Sequence, residues 1–433
     1  MNIIKIAWRN LLRYKRRTLL TSALIAVGVT LVIVFGGIGN SFKNEVIGIL
    51  TNTTLGDIQI HRKGYVSSID SLPLDLTIPE QALPRIETLL SDDPDVKVYS
   101  ERIRFGALIS NFSQTTNMRF TAVYPEEESE TCPGLPKRIK EGDANPYTFI
   151  KPGWIVIPQN IAAGLNLKVG NDAVLVATNK DGSVNGLNLR ISGISENILG
   201  PQGKDGYIHI DDARSLLRIE SGGITEIAIK LKNFGTLAKT YSRLKNDLSE
   251  FKGPQASNAP GTKNGSSPNK QAQAGGSILE IHTWEELSPF ASIAQIVSLL
   301  IIVVRVVLIF IVLVSILNVM VMSVYERVGE IGTIASIGTL PSRIMALFLT
   351  EGLALGFLSA IAGSILGSLT LLVISAAKPH FRFGMMNLIL TPQIPVAEVL
   401  LAVISVVIVS VLASFQPALK ASRMQPVEAL RHV

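Results

Sequence analysis

Long apolar runs at 18–40, 290–324, 344–376 and 396–416 divide the chain. A bilayer core about 30 Å thick needs about 20 helical residues, so each run can span it. Between the first two, over 41–289, apolar residues come only in short alternating segments such as DIQIHR, KVYSERIRF, NMRFTAVY, DAVLVATN, LNLRISGI, GYIHI and TEIAIKLK. That period of two predicts strands, and helical spacing predicts helices at Glu80–Leu90, Asp211–Leu217 and Leu237–Leu248. The fold class that follows is an α-helical membrane protein with four transmembrane helices and a large α+β extracytoplasmic domain between helices 1 and 2.

The order of segments says more about that domain. GDIQI, a helix and KVYSERIRF form one strand-helix-strand unit; TEIAIKLK, a helix and SILEIHTW form a second. Two such units can pair into a split βαβ sheet, with Met118–Ile210 inserted as a mostly β lobe. Residues 251–276 are rich in Gly, Ser, Asn, Pro and Lys, too polar to offset the entropy of ordering, and read as a flexible loop.

Polar positions around the spans set their orientation. In 1–17, Ile4, Ala7, Trp8 and Leu11 line one helical face while Lys5, Arg9, Arg13 and Arg16 recur on another, as in a helix lying on an anionic membrane surface. This basic run passes straight into an apolar segment, which argues against a nucleic-acid arm. Basic residues before the first span place the N-terminus in the cytoplasm and 41–289 outside. No small-residue cleavage pattern follows that span, so it reads as an uncleaved anchor. By alternation, 325–343 lies inside, 377–395 is an outer loop, and the basic tail 417–433 is again cytoplasmic.

The inner connection 325–343 predicts an amphipathic surface helix. Glu326 and Glu330 share one face at i,i+4, Arg327 lies beside them, Ile331 and Ile334 fall on others, and Gly338 and Pro341 end the segment. Any loop between two spans also needs a few charges. Arg305 interrupts the second span; counting back from Val324 at about 1.5 Å per residue puts it roughly 28 Å away, near the outer interface. There it is an interfacial anchor, or a contact for an anionic lipid or substrate. Gly352-x-x-x-Gly356 and Gly363-x-x-x-Gly367 in the third span are spacings that let helices approach closely. Glu351 lies about two turns inside the same span.

Composition narrows the chemistry. At 433 residues, 47% hydrophobic and 17% charged, with a net charge of +6, the chain is too apolar for a soluble protein and too polar to be all membrane. Cys132 is the only cysteine, which excludes an intrachain disulfide and any multi-cysteine metal site. GPQGKDG at Gly200–Gly206 comes nearest to a phosphate-cradling loop, but Ile198 stands where the first glycine belongs and Asp205 replaces the Ser/Thr. HExxH and GxSxG are absent, and His61, His209, His282, His380 and His432 are scattered. No cofactor is expected in this chain, and no enzymatic activity of its own.

EIGTIASIGTLPSRIMALFLTEGLALG, and an ending with Pro417, Lys420, Ala421, Ser422, Pro426, Glu428, Ala429, Leu430 and Arg431, resemble MacB/FtsX-type ABC transporter permeases over essentially the whole length. Within that superfamily, FTAVYPEEE and GWIVIPQNIAAGLNLKVGNDAVLV are most similar to the lipoprotein-releasing LolC/LolE branch. They depart from its pattern at Val123 and Tyr124 before Pro125 and at Asn171 before Asp172. The resemblance implies a porter-like outer domain, a separate ATPase subunit holding ATP and Mg, and a homodimer or second permease. It also implies a coupling helix in which Glu326, Arg327, Glu330, Ile331 and Ile334 meet that ATPase. Lipoprotein release from the inner membrane is the function it favours, with efflux of amphiphiles or peptides through a periplasmic adaptor and signalling to a cell-wall hydrolase as the alternatives.

Overall fold

The computed structural model describes residues 6, 9–10, 13, 15–197, 203–219, 222–251, 277–288, 290–383, 386–389, 391–394 and 396–425. Most of the predicted amphipathic helix 1–17, the loop from 252 to 276 and the ending from Pro426 lie outside the described residues. The chain divides into two compact units, one within 1–45, 293–381 and 387–433, the other within 46–292 and 382–386.

In the first unit, four helices among the described residues are long and apolar enough to cross a membrane. Lipid offers the backbone no hydrogen-bonding partner, so an apolar run must satisfy its own amides as helix. The ends differ from those the hydrophobic pattern predicts. The first spanning helix is continuous from Lys15 to Leu50, well past residue 40. The second runs over Ala291–Glu326, the third over Pro341–Ala377, and the fourth over Val396–Ser422, passing through Pro417 rather than stopping before it.

Small residues let these helices meet. A Cβ on Gly352 or Gly356 would collide with Ser414 or Ser410 of the fourth helix. One on Gly363 would come within 2.7 Å of Val29 Cβ, and one on Gly367 within 3.1 Å of Ile33 Cβ, both in the first helix. The two glycine pairs of the third span therefore serve different neighbours. Thr30 also donates to the Gly363 carbonyl at 3.1 Å. The first helix has close approaches of its own, Gly28 to Val312 and Gly37 to Leu371.

The second unit is built on strands β1 (Ile58–Arg62), β2 (Val96–Ser110), β3 (Thr115–Val123), β4 (Ile139–Gly142), β5 (Trp154–Pro158), β6 (Asp172–Thr178), β7 (Val184–Ser195), β8 (Asp205–His209), β9 (Glu226–Leu231) and β10 (Leu279–Thr283). β10, β1, β9 and β2 lie side by side, β1 antiparallel to both neighbours, with helices Leu83–Asp92 and Leu237–Ser249 as the crossovers. This is the split βαβ arrangement. The inserted lobe is not a separate sheet: β3 pairs with β2 from Arg102 to Ser110, and β6 returns to β2 at Leu108–Ser110. The pairings β2-β3-β8-β5-β7-β6-β2 close a six-stranded ring that shares its longest strand with the split sheet. Asp205, from the stretch compared above with a phosphate loop, lies in β8 and accepts from Arg119 at 2.9 and 3.0 Å.

β1 carries His61 fully into the core, stacked on Tyr65 at 4.9 Å with the His282 ring 6.1 Å away. Burial outweighs the attraction of Glu226 and lowers the imidazole from 6.5 to about 4. An unfolded chain takes up that proton below 6.5 and the folded one only below about 4, so stability falls as pH drops through that window, by up to about 3 kcal/mol. His282 acts with the opposite sign: Glu280, against burial and with Glu286, raises its value, so its contribution is present below 6.5 and fades as pH rises. Thermal unfolding of the full chain in detergent should lose several degrees between pH 6.5 and 4, and His61→Phe should remove most of that loss. Equal losses in both proteins would show that His61 is not the group titrating.

Candidate functional site

The connection between the second and third spanning helices folds around one break. Arg327 leaves helical geometry at φ −116° and ψ 17°, a short helix follows over Val328–Ser336, and Gly338 at φ 91° closes it before Pro341 opens the third span. Left-handed backbone at that position suits glycine, which has no Cβ to clash. The predicted single helix over 325–343 is thus two helix ends with a short helix between them. The physical reason is Arg327, whose side chain has to turn inward to reach its partner.

That partner is Glu351. Arg327 Nη1 donates to Glu351 Oε2 at 3.0 Å, with both side chains under one tenth exposed, and the guanidinium lies 5.5 Å from the Phe348 ring centre. Arg327 Nε donates to Glu330 at 3.0 Å, and Arg13 Nη1 to the other Glu330 oxygen at 2.8 Å. Burial alone would raise the Glu330 carboxyl; the hydrogen bond and charge of Arg327, then those of Arg13, outweigh it and hold it below the usual carboxylate range. The result is a relay of charges from Arg13 through the short helix to the third span. Exposed ion pairs contribute about 0–1 kcal/mol, whereas removing one partner of a buried pair costs about 3–5 kcal/mol. Losing one partner of the buried Arg327–Glu351 pair therefore costs more than losing one of the exposed Arg13–Glu330 pair.

The five residues grouped by sequence as one docking surface separate here. Arg327 and Ile331 are buried, Glu330 and Ile334 are partly covered, and Glu326 is exposed. The outward side is instead Ile337, 79% exposed, and Leu340, 59% exposed, at the tip beyond the short helix. A cavity of about 580 Å³ opens beside it, lined by Arg9, Arg13, Arg327, Glu330 and Arg343 together with apolar residues such as Ile334, Ile337 and Leu347. Lys420 of the fourth helix donates to the Tyr325 hydroxyl at 2.7 Å, which ties the ends of the second and fourth spans together.

A second polar cluster lies at the other end of the spans. Arg305 pairs with Glu398 at 3.1 Å, and Asn40 donates to the same carboxylate. Arg305 is thereby held by the start of the fourth helix. Sequence reasoning missed Glu398, although opposite charges in two apolar spans signal a pair.

Residues 302–426 match the model of the FtsX-like permease C-terminal domain, and residues 18–247, more than half of the chain, match that of the MacB-like periplasmic core domain. The periplasmic region of MacB from Actinobacillus actinomycetemcomitans is similar at 12% identity over 58% of this chain and 95% of that one, with a TM-score of 0.33. The extracellular domain of the ABC-type transporter YknZ of Gram-positive bacteria is similar at 11% identity over 44% and 92%, with a TM-score of 0.30. No curated protein sequence matches the chain. The two family matches meet the four membrane helices and the β-rich domain set between the first two of them, and on that ground the chain belongs to the MacB/FtsX-type ABC transporter permeases.

Proposed function

We propose that this permease is a mechanotransmission subunit that releases lipoproteins from the outer leaflet of the inner membrane. A separate ATPase docks on the 325–343 connection, holds ATP and Mg, and drives the outer domain through the spans. The observation that carries this reading is the relay Arg13–Glu330–Arg327–Glu351 behind an exposed apolar tip, Ile337 and Leu340. The tip offers a partner an apolar knob, and the neighbouring cavity, with four arginines against the one carboxylate of Glu330 beside apolar side chains, suits an acidic segment. Arg9, Arg13, Lys15 and Arg16 at this end of the first span, with Lys420 in the last turn of the fourth and Arg423 just after it, favour its facing the cytoplasm. Both termini are then inside and the β-rich domain is periplasmic.

Lipoprotein release as the specific task rests on the LolC/LolE-like stretches and on the apolar faces of the first two spans. Leu24, Leu31, Val303 and Phe310 are exposed there and can hold acyl chains. The second span is the least covered by the rest of its unit, which leaves room for a second permease chain. Affinity purification from native membranes in mild detergent tests this directly. An ATPase travelling with a permease and lipoproteins is the expected result. A periplasmic adaptor in their place would make it an efflux system, a cell-wall hydrolase a signalling device, and an intact preparation without any ATPase would overturn the docking role.

A further inference from the structure

A helix end leaves its last carbonyls without partners in the helix. The first spanning helix passes beyond Leu50 into a π-helical turn, Thr51–Leu55, that belongs to the outer unit. Every carbonyl of that turn is met. The Cys132 thiol points at Thr51 O at 3.8 Å, and Gly134 N–H donates to Asn52 O at 2.7 Å. Tyr207 Oη donates to Thr53 O at 3.4 Å, Arg102 Nη1 to Thr54 O at 2.6 Å, and Gln59 Nε2 to Leu55 O at 2.8 Å. These donors come from β1, β2, β8 and the segment after helix Pro125–Thr131, so the split sheet and the closed ring grip the same turn.

Arg102 is the centre of the grip. It is 1% exposed, and all five of its N–H groups are used. Nε and Nη2 clasp Glu128 at 2.8 Å each, Nη2 also reaches Cys132 Sγ at 3.1 Å, and Nη1 is shared between Thr54 O and Glu226 at 3.1 Å. A cation beside the carbonyl end of a helix is favoured by the helix dipole, and two buried carboxylates offset its desolvation.

We infer that Arg102, with Glu128, is a positioning residue that welds the last turn of the first spanning helix to the outer domain, so that this helix drives the domain. The inference rests on the ATP-driven reading above, and its test separates the two. In the complex purified with its ATPase and placed in lipid nanodiscs, hydrogen exchange of the β1 and β8 peptides is compared without nucleotide and with ATP and vanadate. Arg102→Met/Glu128→Leu keeps two large buried side chains and leaves Glu226 paired with Arg104, which lies 3.6 Å away. The wild-type complex is expected to change its exchange at least fivefold with nucleotide; the double variant is expected to hydrolyse ATP within twofold of wild type and lose that change.

Should the double variant fail to fold, Gly134→Ala serves the same end, since its Cβ would meet Thr53 Cγ2 at 2.8 Å and Asn52 O at 2.9 Å and pry the ring from the turn. A folded variant of either kind that keeps the full nucleotide response overturns the weld. A wild-type complex that hydrolyses ATP without any change in the outer domain overturns the ATP-driven reading, and the weld with it.

Discussion

Glu330→Lys is expected to lower ATP hydrolysis by the assembled complex at least tenfold while leaving the permease folded and inserted. Glu330 is shared by Arg13 at 2.8 Å and Arg327 at 3.0 Å. A lysine there sets a third cation between two arginines, at a repulsion of about 1 kcal/mol per pair at 4 Å in water and about 4 kcal/mol at the effective dielectric near a protein surface. Arg13 should separate from the short helix, while Arg327 keeps its buried partner Glu351 and the span packing survives. Glu330→Gln, which loses the charge without reversing it, should fall between the two. The ATPase rate of the purified complex, compared with its thermal midpoint, decides the matter. An unchanged rate in Glu330→Lys would remove this residue from coupling, and a collapsed midpoint would show that it serves folding instead.

Gly352→Leu should have the larger effect on the membrane unit itself. Even a single added carbon at this position would strike Ser414 of the fourth helix, and four added carbons force the third and fourth spans apart. Overpacking a tight core costs about 1–3 kcal/mol or more, and in lipid, where packing rather than water exclusion holds helices together, little compensates for it. The folded, monodisperse fraction recovered in mild detergent should fall several-fold. Gly48→Ala is the matching control, because its Cβ would meet nothing nearer than Asn52 Nδ2 at 3.6 Å. If Gly352→Leu is recovered as well as Gly48→Ala, the close contact between the third and fourth helices is wrong.

The spans were legible in the sequence because lipid permits an apolar run almost nothing but helix. Their ends were not. Asn40, Lys43 and Asn44 end the apolar run without ending the helix, which continues because protein rather than lipid receives its last turns. Alternation disclosed the strands of the outer domain, and the two strand-helix-strand units disclosed the split pairing, since both depend on local order. Closure of β6 onto β2 joins residues about 65 apart in sequence and leaves no local trace. The same limit governs the candidate site. Arg327 stands between Glu326 and Glu330 and reads as one more surface charge, until the helix breaks at its own position and turns it toward Glu351, 24 residues on. Glycine spacing announced close packing in the third span but could not say that its two halves face different helices.

β1 leaves the ribosome soon after the first span, yet both of its neighbours, β9 and β10, are the last strands of the domain to be made. Ile58 pairs with Ile229 and with Thr283, so closing this sheet is a contact of very long sequence separation, the kind that folds slowly. For most of its synthesis the chain therefore holds the strand IQIHR with both edges open. A chain cut before Leu279 lacks β10 and leaves one edge of β1 unpaired, the kind of open edge on which strands of other chains can pair.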